Sequence, residues 1–106
     1  MRVYPAPEGR AWVCGHWNGS PVEIGLGGML TNVPDGEVLH HHPYAEYYVV
    51  THGRGEVEVD GERVALVAGS VVMVEAGERH RVVSVGPDGV QWIVIKERSE
   101  PDSKFV

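Results

Sequence analysis

Histidine and glutamate side chains that could bind a metal are concentrated in one stretch of this 106-residue chain. His40, His41 and His42 are consecutive, Glu46 follows shortly afterwards, and His80 lies far downstream. Alternate side chains of an extended strand share a face, so His40 and His42 are predicted to point one way and His41 the other. Two imidazoles, a carboxylate and a distant imidazole form a suitable ligand set for a divalent transition metal.

The predicted cofactor is therefore one divalent transition metal ion. Neutral imidazole suits Zn, Cu, Fe and Ni, and a carboxylate ligand extends the range towards Mn. Four protein ligands leave positions open on an octahedral ion, which then polarises carbonyl groups and lowers the pKa of bound water. Two alternatives stay open from the residues alone. The histidines could form a solvated or packed cluster without metal, or a one-residue bulge could exchange His41 with a neighbour as ligand.

Length and charge narrow the class of protein. The 106 residues suit a single domain over 1–106, and no apolar run reaches the roughly 20 residues that span a bilayer. The N-terminus lacks the basic and apolar segments of a secretory signal, and the one cysteine, Cys14, excludes an intrachain disulfide. A net charge of -6 with scattered basic residues argues against nucleic-acid binding. We expect a cytoplasmic protein without membrane or nucleic-acid partners.

The hydrophobic pattern predicts an all-β chain. Alternating or β-branched runs are separated by turn signals at 53–55, at Asp60-Gly61 and at 86–89. No helical periodicity extends over a dozen residues, so little or no helix is expected. Many short, closely spaced strands are typical of a sandwich or barrel. The predicted strands cover 22–26, 29–33, 44–52, 56–59, 63–67, 70–74, 79–85 and 90–96.

The spacing of the candidate ligands resembles that of the cupin superfamily. His40-x-His42, three residues, Glu46, six residues and Gly53 are similar to the first cupin motif, here about 34–53. The second motif, about 69–84, is matched by Gly69, five residues, Glu75-Ala76-Gly77, two residues, His80, three residues and Ser84. The chain departs from the usual pattern at Pro34, Glu75 and Ser84, where glycine, proline and asparagine usually stand.

This resemblance implies that the chain is a small metal-binding cupin. The fold would be an antiparallel double-stranded β-helix, or jelly-roll barrel, with arms at 1–10 and 99–106. The resemblance also implies that the barrel interior holds the metal through His40, His42, Glu46 and His80. Glu46 is in addition the candidate catalytic group, because a carboxylate that leaves the metal can act as a base.

Strand parity predicts a substrate pocket. If Glu46 points inwards, so do Tyr48, Val50 and His52 on a regular strand, and Val82 shares the parity of His80. The predicted lining is Tyr48, Val50, Val82 and Trp92, although aromatic residues in strands are commonly core filler. The run around Trp92 is apolar on both faces, which predicts that a second copy of the chain covers the outer face in a homodimer.

The expected function is that of a metal-dependent enzyme acting on a small oxygenated molecule. By family analogy, an iron- or manganese-dependent dioxygenase stands slightly ahead of a sugar isomerase, epimerase or lyase. The rival class is a non-catalytic module that binds or senses a small ligand.

Overall fold

The computed structural model describes residues 1–8, 12–29, 38–101 and 103–106, and it confirms the predicted all-β fold. The strands pair antiparallel in the order β1-β2-β6-β3-β4, and β5 pairs with β3. Helical structure in the described ranges amounts to one 3₁₀ turn, His16–Asn18. The strands are β1 Trp12–Cys14, β2 Glu23–Met29, β3 Glu46–Val59, β4 Glu62–Val67, β5 Val71–Val74 and β6 His80–Lys96.

The long strands β3 and β6 organise the barrel. They pair from Glu46 opposite Lys96 at one end to Val59 opposite His80 at the other. The first half of β3 also pairs with β5, and its second half pairs with β4. Each long strand therefore belongs to both halves of the rolled sheet, and the ladder bends where its register shifts.

Two of the predicted turns are bulges within the long strands. The chain does not reverse at 53–55 or at 86–89; instead Arg54 alone lies opposite 86–89. Gly53 has a φ of 70°, and a Cβ there would lie 2.0 Å from the carbonyl oxygen of Gly89. Glycine thus marks a close backbone approach rather than a reversal. The prediction that His52 points inwards is wrong as well: the register shifts directly after Val50, and His52 is exposed.

The Asp60-Gly61 turn is confirmed. Val59 pairs with Glu62 across it, and both turn residues have positive φ, 47° and 84°, as a type I′ hairpin requires.

The first glycine-rich strand is longer than predicted. β2 runs through Gly25 and Gly27, and residues 30–33 of the second predicted strand lie outside the described residues. A Cβ at Gly25 would lie 2.5 Å from the ring of Trp12, and one at Gly27 would lie 2.2 Å from the ring of Trp92. These glycines allow the two indoles to lie flat against the strand.

The interior of the barrel is mostly apolar. Its core consists of side chains from β3 to β6, among them Tyr48, Val50, Val57, Leu66, Val74, Val82, Val90, Trp92 and Val94. The buried polar side chains of the described residues are the four predicted ligands together with those of Ser20, Glu23 and Lys96. Among the residues that the structure describes, no helix is long and apolar enough to cross a membrane.

The two predicted arms differ in the structure. Residues 1–8 have no regular structure and are mostly exposed, and 9–10 lie outside the described residues. At the other end, Phe105 pairs with His41 through two backbone hydrogen bonds of 2.7 and 2.9 Å. The chain from Ser103 onwards is therefore docked on the barrel, beside the predicted metal ligands.

Candidate metal centre

Three histidine side chains converge inside the barrel. Ring nitrogens of His40, His42 and His80 all lie within 4.8 Å of one another, and all three residues are buried. The backbone brings the two sequence motifs together. The N–H of His80 donates to the carbonyl of His40 at 2.8 Å, and the N–H of His40 donates back at 3.2 Å. This bridge places an imidazole from each motif side by side.

Glu46 completes the cluster. Its Oε1 lies 3.2 Å from Nε2 of His80, and its Oε2 lies 3.4 Å from Nε2 of His42. Ligand atoms that are each about 2.1 Å from a shared octahedral or tetrahedral ion lie about 3.0–3.4 Å apart. The two distances from Glu46 to the imidazoles fall in or near this range and are compatible with ligands of one ion.

Each of the three imidazoles is oriented by a backbone carbonyl. Nδ1 of His40 lies 2.8 Å from the oxygen of Val38, and Nδ1 of His42 lies 2.8 Å from that of Ser103. Nδ1 of His80 lies 3.0 Å from the oxygen of Glu78. Because a carbonyl only accepts, each Nδ1–H donates, and Nε2 is left as the ligand nitrogen. Metal-binding histidines commonly have this second hydrogen bond, so the donor set fits a divalent ion.

Burial and neighbouring charges set the protonation of the cluster. Burial lowers the pKa of His40 to about 4, against the opposing hydrogen bond to Val38. Burial also lowers the pKa of His42. Burial alone would raise the pKa of Glu46, but the hydrogen bond and charge of His80, with the charges of His42 and Lys96, lower it overall. Neutral imidazoles and an ionised carboxylate are the forms that bind metal.

His41 faces away from the cluster. It is half-buried, and its ring lies 5.7 Å from that of Phe105. The structure has the alternation expected of an extended segment, and the cluster contains His40 and His42 but not His41.

A cavity of about 270 Å³ adjoins the cluster, with His40, His42 and Glu46 in its wall. Of the predicted pocket residues, Tyr48, Val82 and Trp92 line it. The fourth, Val50, lies in the apolar core at 2% exposure and is not among the lining residues.

Sequence reasoning missed several polar groups around the cavity. Lys96 and Lys104 line it, and Lys96 forms a buried ion pair with Glu23, with 2.9 Å between Nζ and Oε2. Lys96 has the same strand parity as Trp92, so a lysine at an inward position of an apolar run was the available signal. The carbonyl of Ser103 carries no signal in the sequence, because any residue could supply it.

Comparisons with known proteins agree with the fold. A sequence profile described as "Cupin domain" matches residues 29–96. A curated protein of Streptomyces cyaneus, "Polyketide synthase CurC", is 40% identical over 55 residues, which are 51% of this chain and only 36% of that protein.

Solved structures share the fold at low sequence identity. A cupin protein from Bacteroides fragilis superposes with a TM-score of 0.67 at 18% identity, covering 100% of this chain and 93% of its own. A putative ethanolamine utilization protein, EutQ, from Salmonella typhimurium gives 0.66 at 18%, covering 84% and 68%. The DMSP lyase DddQ from Ruegeria pomeroyi gives 0.63 at 20%, covering 78% and 41%.

Replacing His80 by Ala should remove metal binding and leave a folded barrel. The affinity for Zn²⁺ should fall by more than about 100-fold, because even the outer partners of metal ligands contribute about 10–100-fold. Isothermal titration calorimetry measures the affinity, and circular dichroism checks the fold. The control is His41→Ala, which removes a neighbouring imidazole that faces away and should bind Zn²⁺ like the wild type. Unchanged affinity in His80→Ala would contradict the assignment.

The metal-free protein should lose stability as the pH falls from about 6.5 towards 4. The pKa of His40 is about 4 in the folded chain, below its ordinary value of 6.5, so the unfolded chain binds more protons between these values. The lowered pKa of Glu46 acts in the same direction at lower pH, since its stabilisation is lost once the carboxylate is protonated. Urea unfolding midpoints with a chelator present measure the slope.

The variant His40→Gln should flatten this pH dependence, because it removes a group that resists protonation in the folded state. Midpoints of the wild type that stay constant from pH 7 to 4 would show that burial does not shift these groups.

Proposed function

Because this chain belongs to the cupin family, we propose that it is a metal-dependent enzyme that acts on a small oxygenated molecule inside its barrel. One observation carries the proposal: three buried imidazoles and a carboxylate converge, and the carboxylate and two of the imidazoles, those of His40 and His42, form part of the wall of a cavity. Structural zinc sites are usually closed and rich in cysteine. Here Cys14 lies in β1 and is not part of the described cluster.

The proposed metal ligands are His40, His42, Glu46 and His80. A divalent ion held by them would supply Lewis-acid activation of a carbonyl or enolate oxygen, or of dioxygen, at its open positions. The ion is expected to be Fe, Mn, Ni, Zn or Cu, with the carboxylate favouring Fe or Mn over Cu.

The chain's own residues would prepare the substrate. Glu46 is ionised and held between His42 and His80, so it can bind the ion or accept a proton from a carbon next to a carbonyl. Tyr48, Val82 and Trp92 provide a mostly apolar wall that excludes water and limits the size of the substrate. Ring contacts between Tyr48 and both His80 and Trp92 keep this wall packed.

We propose oxidation by dioxygen as the first reaction to test. The mixed histidine and carboxylate ligand set, with open positions beside an apolar cavity, supports it. Elimination or isomerisation without dioxygen is the second candidate. The structural similarity to a protein named DMSP lyase favours the elimination.

The test is to screen the Fe-, Mn-, Ni- and Zn-loaded forms with diketones, catechols, sulfonium carboxylates and sugars. Dioxygen uptake with a diketone or catechol is expected for the Fe or Mn form. It should be lost in His80→Ala and reduced by about 10²–10⁴-fold in Glu46→Gln if Glu46 transfers a proton. His41→Ala is the matched control and should stay active.

The other outcomes separate the rival functions. A product formed without dioxygen uptake would select the lyase or isomerase. Saturable binding without turnover in every metal form would select a binding or sensing module. Activity that survives His80→Ala would mean that the metal is not involved.

The proposed cellular setting follows from charge and cysteine chemistry. The described Cys14 is a buried free thiol, which suits the reducing cytoplasm. The net charge of -6 makes a nucleic-acid partner unfavourable and leaves a small molecule as the expected ligand.

We also propose that the protein is a homodimer joined through the outer face of the sheet. Two rows of cross-strand partners run across β2, β6, β3 and β5, and one row reaches the edge of the cavity at Leu26. Leu26, Val71 and Met73 in these rows are exposed. An apolar patch that spans four strands is typical of an interaction site, and a two-fold axis would let it pair with itself. The rows are Leu26–Ile93–Val49–Val71 and Ile24–Ile95–Tyr47–Met73.

Light scattering should give twice the chain mass of 11.6 kDa for the wild type. The variant Ile93→Lys places a charge in the centre of the patch and should be monomeric, because an unpaired buried charge is costly. The control Val67→Lys changes an exposed valine of β4 outside the patch and should remain dimeric. A wild-type mass of 11.6 kDa at micromolar concentration would contradict the dimer.

A further inference from the structure

A buried ammonium group lies in the wall of the cavity that adjoins the metal centre. Lys96 is the last residue of β6, is 8% exposed and lines the cavity together with Lys104. We propose that Lys96 is the group that selects small organic carboxylates for this cavity. This inference rests on the metal-dependent function proposed above, and it names the substrate class for that site.

The register of the sheet places Lys96 next to the metal ligands. Lys96 is the direct partner of Glu46 on the β3–β6 ladder, and both side chains point inwards. The Cα atoms of directly opposite residues in an antiparallel pair are about 4.5–5.5 Å apart. A molecule only a few atoms long can therefore place a hydroxyl or carbonyl oxygen at the metal centre and a carboxylate at the ammonium.

The ammonium group is held in place without using all of its donors. Nζ of Lys96 lies 2.9 Å from Oε2 of Glu23 and 4.5 Å from the centroid of the Trp12 ring. Glu23 is fixed in turn, because the hydroxyl of Ser99 donates to its Oε1 at 2.8 Å. An ammonium carries three N–H donors, and Glu23 is its one ion-pair partner among the described residues. Donor capacity thus remains on a group that lines the cavity.

The charge balance around the cavity favours an anion. With a divalent ion bound, Glu46 and Glu23 balance only two of the four positive charges supplied by the ion, Lys96 and Lys104. The cavity is also partly enclosed by Trp12 and Trp92, which keep water away and strengthen the attraction between an anion and the ammonium.

A carboxylate fits this wall better than a phosphate does. Phosphate sites usually combine several backbone N–H groups at a helix N-terminus, or the paired donors of arginine. Lysines and no arginine occur among the described lining residues, and none of these lining residues lies in a helix. A lysine ammonium acts as a point charge, and the volume of about 270 Å³ is at the small end for ligand pockets.

Stability alone does not account for the Lys96–Glu23 pair. Removing two charges from water is costly, and a buried ion pair can often be replaced by apolar side chains of similar volume without loss of stability. A role in binding explains why one member of the pair lines the cavity.

The experiment uses the full chain loaded with Co²⁺, whose visible absorption reports both metal binding and ligand binding. The probes are lactate and 3-hydroxybutyrate, each compared with its neutral amide. The variants are Lys96→Met, Lys96→Arg, Glu23→Gln and the double variant Glu23→Gln/Lys96→Met, which leaves no unpaired buried charge if the single lysine variant fails to fold.

We expect the wild type to prefer a carboxylate over its amide. Lys96→Met and the double variant should lose about 10- to 100-fold of carboxylate affinity, the contribution of a hydrogen bond to a charged group, with little change for the amides. Lys96→Arg should retain most of the carboxylate affinity. Glu23→Gln should raise carboxylate affinity about two- to fivefold, because it removes a competing anion from the ammonium. A purely structural ion pair would not produce that increase.

Two results would overturn the inference, and only the second would also overturn the proposed function. If the wild type and the double variant both bind Co²⁺ and show the same preference for carboxylates, Lys96 does not select the ligand and the metal-dependent function stands. If the wild type binds no Co²⁺, the proposed function fails, and the inference fails with it.

Discussion

The pairing of β3 with β6 is the constraint on which the candidate site depends. One end of this ladder sets Glu46 against Lys96, and the other end sets Val59 against His80. Both strands bend at register shifts, so the two ends of the ladder approach each other inside one barrel instead of lying at opposite edges of a flat sheet. The backbone bridge between His40 and His80 then closes the ligand cluster. A change that straightened either bulge would separate these groups without touching any of them.

The cluster also buries several polar groups, and hydrogen bonds within the protein must replace the ones that these groups would make with water. Each imidazole gives its Nδ1–H to a carbonyl from a different part of the chain, namely Val38, Glu78 and Ser103. These bonds offset the cost of burial and fix the ring orientations before any ion arrives. The lowered pKa values of His40 and His42 belong to the same arrangement, because burial disfavours the charged form of an imidazole. Folding thus leaves the Nε2 lone pairs of the imidazoles available for a metal ion.

Local patterns predicted the β class, the Asp60-Gly61 hairpin and the facing of His40 and His42, because each depends on alternation or turn chemistry within a few residues. The residues alone could not locate the bulges, since Gly53 at a close backbone approach looks the same as glycine in a turn. That ambiguity placed His52 on the wrong face and ended a long strand too early. Lys96 was overlooked although its parity was readable, because it ends an apolar run. The carbonyl of Ser103 could not be predicted from any side-chain pattern.

The contact between Ser103 and His42 determines how late in synthesis the cluster can be completed. During synthesis, His40, His42 and Glu46 leave the ribosome well before His80, and Ser103 follows later still. A nascent chain that carries only the first three groups lacks the strand opposite His40 and the carbonyl that orients His42. The histidine-rich segment by itself therefore lacks contacts that position the cluster, and the proposed metal site is complete only when the chain through residue 103 has closed on it. Binding of the proposed ion would therefore belong to a late stage of folding, after the ribosome has released these residues.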